Sequence, residues 1–165
     1  MNYGNIKYND IANGPGVRTS LFVSGCRNRC PGCFQPETWD FKYGKPFTLN
    51  EWESIINSMT QYHSGITILG GDPLEKENVC ELLPFVKEFK RRCPDKTIWV
   101  YTGYIYENIK EIDLVNEFLS YIDVLVDGPF IQSLYSIKLK FKGSSNQRII
   151  DLKKSKCENK LEIIG

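Results

Sequence analysis

The sequence has no apolar run near the roughly 18 residues that a membrane span needs. Its first residues, MNYGNIKYND, lack the basic-then-apolar order of a secretory signal. It has no run of five basic residues, and the formal net charge of its 165 residues is only +1. That balance gives nucleic-acid binding no electrostatic support. No internal repeat or low-complexity stretch breaks the chain. The expectation is one soluble, cytoplasmic domain, residues 1 to 165 with an irregular tail from about 150, and neither a membrane nor a nucleic-acid partner. A domain of this size buries roughly 70% of its unfolded surface and needs no covalent staples. In the cytoplasm disulfides are rare, so clustered thiols read as metal-binding or catalytic.

Four short apolar runs are present, each ending in a glycine-bearing or polar motif: TSLFVSG (19–25), GITILGGD (65–72), TIWVYTGY (97–104) and IDVLVDG (122–128). Their β-branched and aromatic content predicts buried strands. Helical patterns lie between them. FTLNEWESIINSM offers Thr48 as N-cap, Glu51 as its capping-box partner, and Phe47 and Trp52 as a staple. Leu49, Trp52, Ile55, Ile56 and Met59 share one face. NVCELLPFVKEFKRRC turns Val79, Leu82, Leu83, Val86 and Phe89 inward, with Asn78 and Glu81 as a second capping box. Pro84 should kink it or delay its start. ENIKEIDLVNEFLSYI reads as a third helix, broken near Asp113. Ile137, Leu139 and Phe141 alternate like a strand, and RIIDLKK with KLEII suggests a terminal hairpin. Strands alternating with helices predict a mostly parallel α/β sheet. Ligands of such sheets sit at the strand carboxyl ends, where SGC, GGD, TGY and VDG all fall.

Three of the six cysteines crowd into GCRNRCPGCF, as Cys26, Cys30 and Cys33 in the spacing C-x3-C-x2-C. Pro31 and Gly32 bend the loop, and Gly25 lets the strand turn into it. Tetrahedral zinc and iron–sulfur sites ordinarily take four ligands, and no fourth cysteine lies nearby. The single histidine, His63, precedes the second apolar run and so falls at the wrong end of the sheet. Cys80, Cys93 and Cys157 are isolated. A 4Fe–4S cubane on three cysteines leaves one iron open to a substrate or cofactor. The polar Arg27, Asn28 and Arg29 argue against three chance core cysteines.

C-x3-C-x2-C after an early strand resembles the radical S-adenosylmethionine (SAM) enzymes. NGPGVRTSLFVSGC (13–26) resembles the opening of the glycyl-radical-enzyme activating enzymes. CPGCFQPETW, GGDPL, WVYTGY, VLVDGPF and GSSNQR, in that order, resemble the anaerobic ribonucleoside-triphosphate reductase activating proteins. The resemblance covers roughly residues 1 to 150.

It implies an α/β fold: a short, incomplete radical-SAM-type (β/α) partial barrel of five or six mostly parallel strands, open on one lateral face. It implies a 4Fe–4S cluster on Cys26, Cys30 and Cys33 with SAM on the open iron. It further implies a SAM-derived radical that takes hydrogen from a glycine of the partner, an anaerobic ribonucleoside-triphosphate reductase. A low-potential donor such as flavodoxin or ferredoxin would supply the electron. By the same resemblance Gly70, Gly71 and Asp72 approach the methionine of SAM, with Asp72 where many relatives have glutamate. Gly32, Cys33 and Phe34 line its adenine end, and Thr102 and Tyr104 reach its adenosine. Asn13 to Arg18 and Asn146 to Arg148 are candidates for the pocket or for partner docking. Two alternatives stand beside this reading. One is an activase of another glycyl radical enzyme, of pyruvate formate-lyase type. The other is a non-catalytic zinc-binding interaction module.

Overall fold

The computed structural model of the protein describes residues 1–158 and 160–165. A seven-stranded sheet runs through it. Its strands are β1 (Asn2–Asp10), β2 (Val17–Val23), β3 (Lys45–Pro46), β4 (His63–Gly70), β5 (Thr97–Tyr101), β6 (Val124–Asp127) and β7 (Arg148–Asp151). The spatial order is β3-β1-β2-β4-β5-β6-β7. The four apolar runs supply β2, β4, β5 and β6, which pair in parallel. Both flanks are antiparallel, with β1 on β2, β3 on β1 and β7 on β6. The sheet is mixed and does not close, because β3 and β7 end it. It has more strands than the five or six expected. β1 gave no sequence signal because it is polar and mostly exposed.

Parallel neighbours need long crossovers. The helices α1 (Leu49–Ser58), α2 (Lys76–Arg92), α3 (Tyr106–Ile109) and α4 (Asp113–Leu119) lie in them, and α5 (Leu152–Glu158) follows β7. They cover one face of the sheet. There Leu21, Val23, Ile66, Ile68, Ile98 and Val100 join Ile55, Val79, Leu82, Val86 and Phe89 in the main core. Strand side chains alternate between faces. The other face carries a smaller cluster of Trp99, Val124, Val126 and Ile149. That second face, free of helices, is where the site forms.

Local signals mostly hold, with instructive exceptions. The Thr48–Glu51 capping box forms, and α3 and α4 are separated by a break before Asp113. Leu49 is 67% exposed instead of inward. The contact of α1 with α2 begins later, at Trp52, whose ring lies 5.7 Å from Phe85. The second capping box does not form. α2 starts earlier, at Lys76, so Asn78 is buried within its first turn, and Glu81 pairs with the Met1 amine. Pro84 does not end α2 or delay its start. Pro84 and Cys80 both lie on the exposed side, where water can serve the carbonyl that lacks a proline N–H. Residues 137–141 form turns instead of a strand, and Ile137 is 85% exposed. The terminal pairing is half realised. Ile150 bridges Ile163 in antiparallel sense, but α5 intervenes, so no hairpin results. Among the described residues no helix is long and apolar enough to cross a membrane.

Candidate active site

The cysteine loop leaves the carboxyl end of β2 through Ser24 and Gly25. Its base is held on two sides. Gly71 N–H donates to Val23 O at 2.7 Å and Asp72 N–H to Gly25 O at 2.8 Å. From the returning chain, Thr38 O accepts from Gly25 N–H at 2.7 Å and Trp39 O from Cys26 N–H at 3.2 Å. Gly25 has φ +103°, and a Cβ there would strike the Phe41 ring. Inside the loop a tight turn brings Cys33 N–H onto Cys30 O at 3.1 Å.

Cys26, Cys30 and Cys33 all line one groove of about 480 Å³. That is the size of a small-molecule site. Phe22, Leu69 and Tyr101, from the helix-free face, also line it, as do Phe34 and Phe130. Each of the four strand-end motifs contributes: Cys26, Gly70 to Asp72, Thr102 with Gly103, and Gly128. Gly32 and Tyr104 do not reach it. Gly32 backs onto the Gln132 side chain, and the Tyr104 hydroxyl donates to Glu75 at 2.6 Å. The glycine pair has a reason of its own. A Cβ on Gly70 would meet the Val23 backbone at 2.7 Å, and one on Gly71 would meet Gly25 O at 2.7 Å. Glycine is therefore required here by chain packing, whatever the groove holds.

Asp72 is buried beside the groove, and its carboxylate is fully engaged. Oδ1 accepts from Leu74 N–H at 2.9 Å and Thr102 Oγ1 at 2.8 Å. Oδ2 accepts from Asn28 Nδ2 at 2.8 Å and Gly103 N–H at 2.9 Å. Burial pushes its pKa up to about 6 despite these bonds. Glu75, also buried, accepts from the Arg27 backbone N–H at 2.5 Å and the Arg27 guanidinium at 3.2 Å. Burial, then the Glu75 carboxylate, pushes the Tyr104 hydroxyl well up. Burial, then the nearby Asp72 charge, raises Cys26.

The remaining candidates separate. Asn13 lines the groove, and its side chain donates to Asp10 at 2.7 Å. Arg18 is fully buried and spends its donors on Thr67, Thr97 and the carbonyls of Ile66 and Thr97. GSSNQR mainly holds the VDGPF turn. Asn146 donates to Pro129 O at 2.8 Å and Gln147 to Gly128 O at 3.0 Å, while Arg148 binds Asp127. His63 begins β4, at the far end of that strand from Gly70, and contacts Thr60 and Tyr8. Sequence reasoning passed over Asn28 and Glu75. The polar filling between the first two cysteines was the available signal for Asn28, and the acid three residues after Asp72 for Glu75.

The donor set suits a cluster. Three thiols face one groove, and Asn28 Nδ2 lies 3.6 Å from Cys26 Sγ, placed to support a thiolate. Among the described residues no three Cys, His, Asp or Glu side chains group closely enough to hold a single metal ion.

Comparison with known proteins agrees with that donor set. Residues 12–150 match the family described as a 4Fe–4S single cluster domain. A protein of Pasteurella multocida is 43% identical over 152 residues, 90% of this chain and 96% of its own length. One of Escherichia coli K12 is 42% identical over 156 residues, covering 93% and 100%. One of enterobacteria phage T4 is 41% identical over 150 residues, covering 90% and 93%. All three are named anaerobic ribonucleoside-triphosphate reductase-activating protein, and the chain belongs to that family.

Proposed function

We propose that the chain is a radical SAM activase of an anaerobic ribonucleoside-triphosphate reductase. The observation that carries this reading is the convergence of Cys26, Cys30, Cys33 and all four strand-end motifs on one groove. In the reading, the three thiolates hold a 4Fe–4S cluster with one open iron. Held by these cysteines, the cluster would supply one-electron chemistry toward SAM, the reductive cleavage to methionine and a 5′-deoxyadenosyl radical whose target would be a glycine hydrogen of the reductase. A low-potential donor of flavodoxin or ferredoxin type would supply that electron.

The chain's own residues would orient and shield the reactants. The backbone of Gly70 to Asp72 lines the groove beside the cysteines. The Gly71 and Asp72 N–H groups are spent on Val23 O and Gly25 O, so backbone carbonyls would be the groups that meet the amino group at the methionine end of SAM. The Asp72 carboxylate, already engaged, leaves that task to the backbone. Phe34 packs on Phe130 and Tyr135, with ring centroids 5.0 and 5.6 Å away. This aromatic wall would keep water from the adenosine end and limit side reactions. Cys33 and Thr102 sit on the same groove. The fold supports the reading too. Helices cover one face, the groove occupies the other and the sheet stays open, as an incomplete radical-SAM-type barrel would be. An open side suits a substrate that is a loop of another protein.

The test is anaerobic reconstitution with iron and sulfide, then reduction with SAM present. The reading expects a brown protein that releases 5′-deoxyadenosine. A colourless protein that retains zinc and leaves SAM intact would refute it.

A further inference from the structure

Three polar side chains of GGDPLEKEN, spaced by three residues, point at the start of the cysteine loop. Backbone turns set the spacing, with Glu75 N–H on Asp72 O at 3.2 Å and Asn78 N–H on Glu75 O at 2.9 Å. Asn78 Nδ2 donates to Ser24 O at 3.0 Å and to Asp72 O at 2.9 Å. Glu75 takes the Arg27 backbone N–H at 2.5 Å. Asp72 takes the Asn28 amide at 2.8 Å, and the same Asn28 nitrogen lies 3.6 Å from Cys26 Sγ. Asp72 and Glu75 are 1% and 3% exposed, so few waters compete for these bonds.

We propose that Asp72 and Glu75 are positioning residues for the cluster loop. They grip it between its first two ligands, and Asp72 aims the Asn28 amide at the Cys26 sulfur. Each carboxylate meets a donor that a loop of this kind would otherwise leave free to wander. An ionised acceptor makes such bonds stronger and shorter than a neutral one does. Outer partners of this sort fix ligand orientation and commonly govern metal affinity. The Asn28 hydrogen bond to sulfur would also raise the reduction potential of the cluster. The inference rests on the cluster reading above and adds to it a role for side chains that do not touch the cofactor.

The experiment compares wild type with Asn28→Ala, Glu75→Gln and Asp72→Asn after anaerobic reconstitution. It measures iron per chain, the rate at which a chelator strips iron, the midpoint potential, and SAM affinity of the loaded fraction. Asn28→Ala changes a half-exposed loop side chain and leaves Asp72 Oδ2 with the Gly103 N–H and the Thr102 hydroxyl, so its apo-protein should still fold. The expected result is iron loss about tenfold faster in each variant. A lower potential in Asn28→Ala, with SAM affinity kept in the loaded fraction of every variant, completes the expectation. Wild-type iron retention and potential with weakened SAM binding would overturn the proposal and return Asp72 to the cofactor. Wild-type behaviour in every readout would overturn it as well. Failure of wild type itself to take up a cluster would remove the functional reading together with this one.

Discussion

Arg148 binds Asp127 through two hydrogen bonds, 3.0 Å from Nε and 2.5 Å from Nη2. The same guanidinium makes two bonds to Glu107, at 2.9 and 2.7 Å. Asp127 is fully buried at the end of β6 and also accepts the Tyr106 N–H at 2.8 Å. One arginine thus ties the last motif, NQR, to the VDG turn at the rim of the groove. Removing one partner of a buried pair leaves the other charge stranded. Arg148→Ala should cost about 3 kcal/mol, read from urea denaturation of the apo-protein. A loss below about 1 kcal/mol would place the pair with ordinary surface bridges.

Gly71 has no room for a methyl group. Its Cβ would lie 2.7 Å from Gly25 O and 2.9 Å from Thr38 O, both backbone atoms at the base of the cysteine loop. Backbone cannot yield as a flexible side chain does. Gly71→Ala should therefore lower the apo-protein's melting temperature and, by splaying the loop, its iron content. Unchanged melting would show that the loop base moves freely.

Asp72 gives a pH signature. Its folded pKa is raised to about 6 from an ordinary 3.8, chiefly by burial and with Glu75 adding to the rise. A raised folded pKa contributes stability that is complete below about 3.8 and is lost as pH climbs through about 6. Relative to Asp72→Asn, the wild-type apo-protein should gain about 2 kcal/mol as the pH falls from 7 to 4. Denaturation curves at both pH values check this. The other carboxylates cancel in the comparison. A flat difference would mean that Asp72 is better solvated than its burial indicates.

Thr48 caps α1, accepting Asn50 N–H, while Glu51 Oε1 accepts the Thr48 N–H at 2.7 Å. Thr48→Ala should cost about 1 kcal/mol with no effect on iron uptake. Thermal melting together with an iron assay separates the two effects.

These cases show what the residues disclosed in advance. β2, β4, β5 and β6 were legible because buried parallel strands need unbroken β-branched and aromatic runs. β1 was not, because a mostly exposed strand can be polar. Ile137, Leu139 and Phe141 misled because alternation alone makes no ladder. That segment is fastened instead by Tyr101 Oη donating to Phe141 O at 2.7 Å. At the site, thiol spacing announces itself in one dimension. The bonds from Asn28 to Asp72 and from Arg27 to Glu75 join residues 44 and 48 positions apart. Only the fold brings them together. The resemblance assigns the glycine pair to the cofactor, and the first atoms its Cβ groups would meet belong to the chain.

The central claim is that this chain places a radical on its partner. The most direct measurement mixes reconstituted, reduced protein with SAM and an anaerobic ribonucleoside-triphosphate reductase, then records the electron paramagnetic resonance spectrum. The account predicts a glycyl radical on the reductase that needs SAM and reductant and disappears with Cys26→Ala, while Cys157→Ala keeps it. SAM cleavage without any radical on the reductase, or a radical that survives Cys26→Ala, would contradict it.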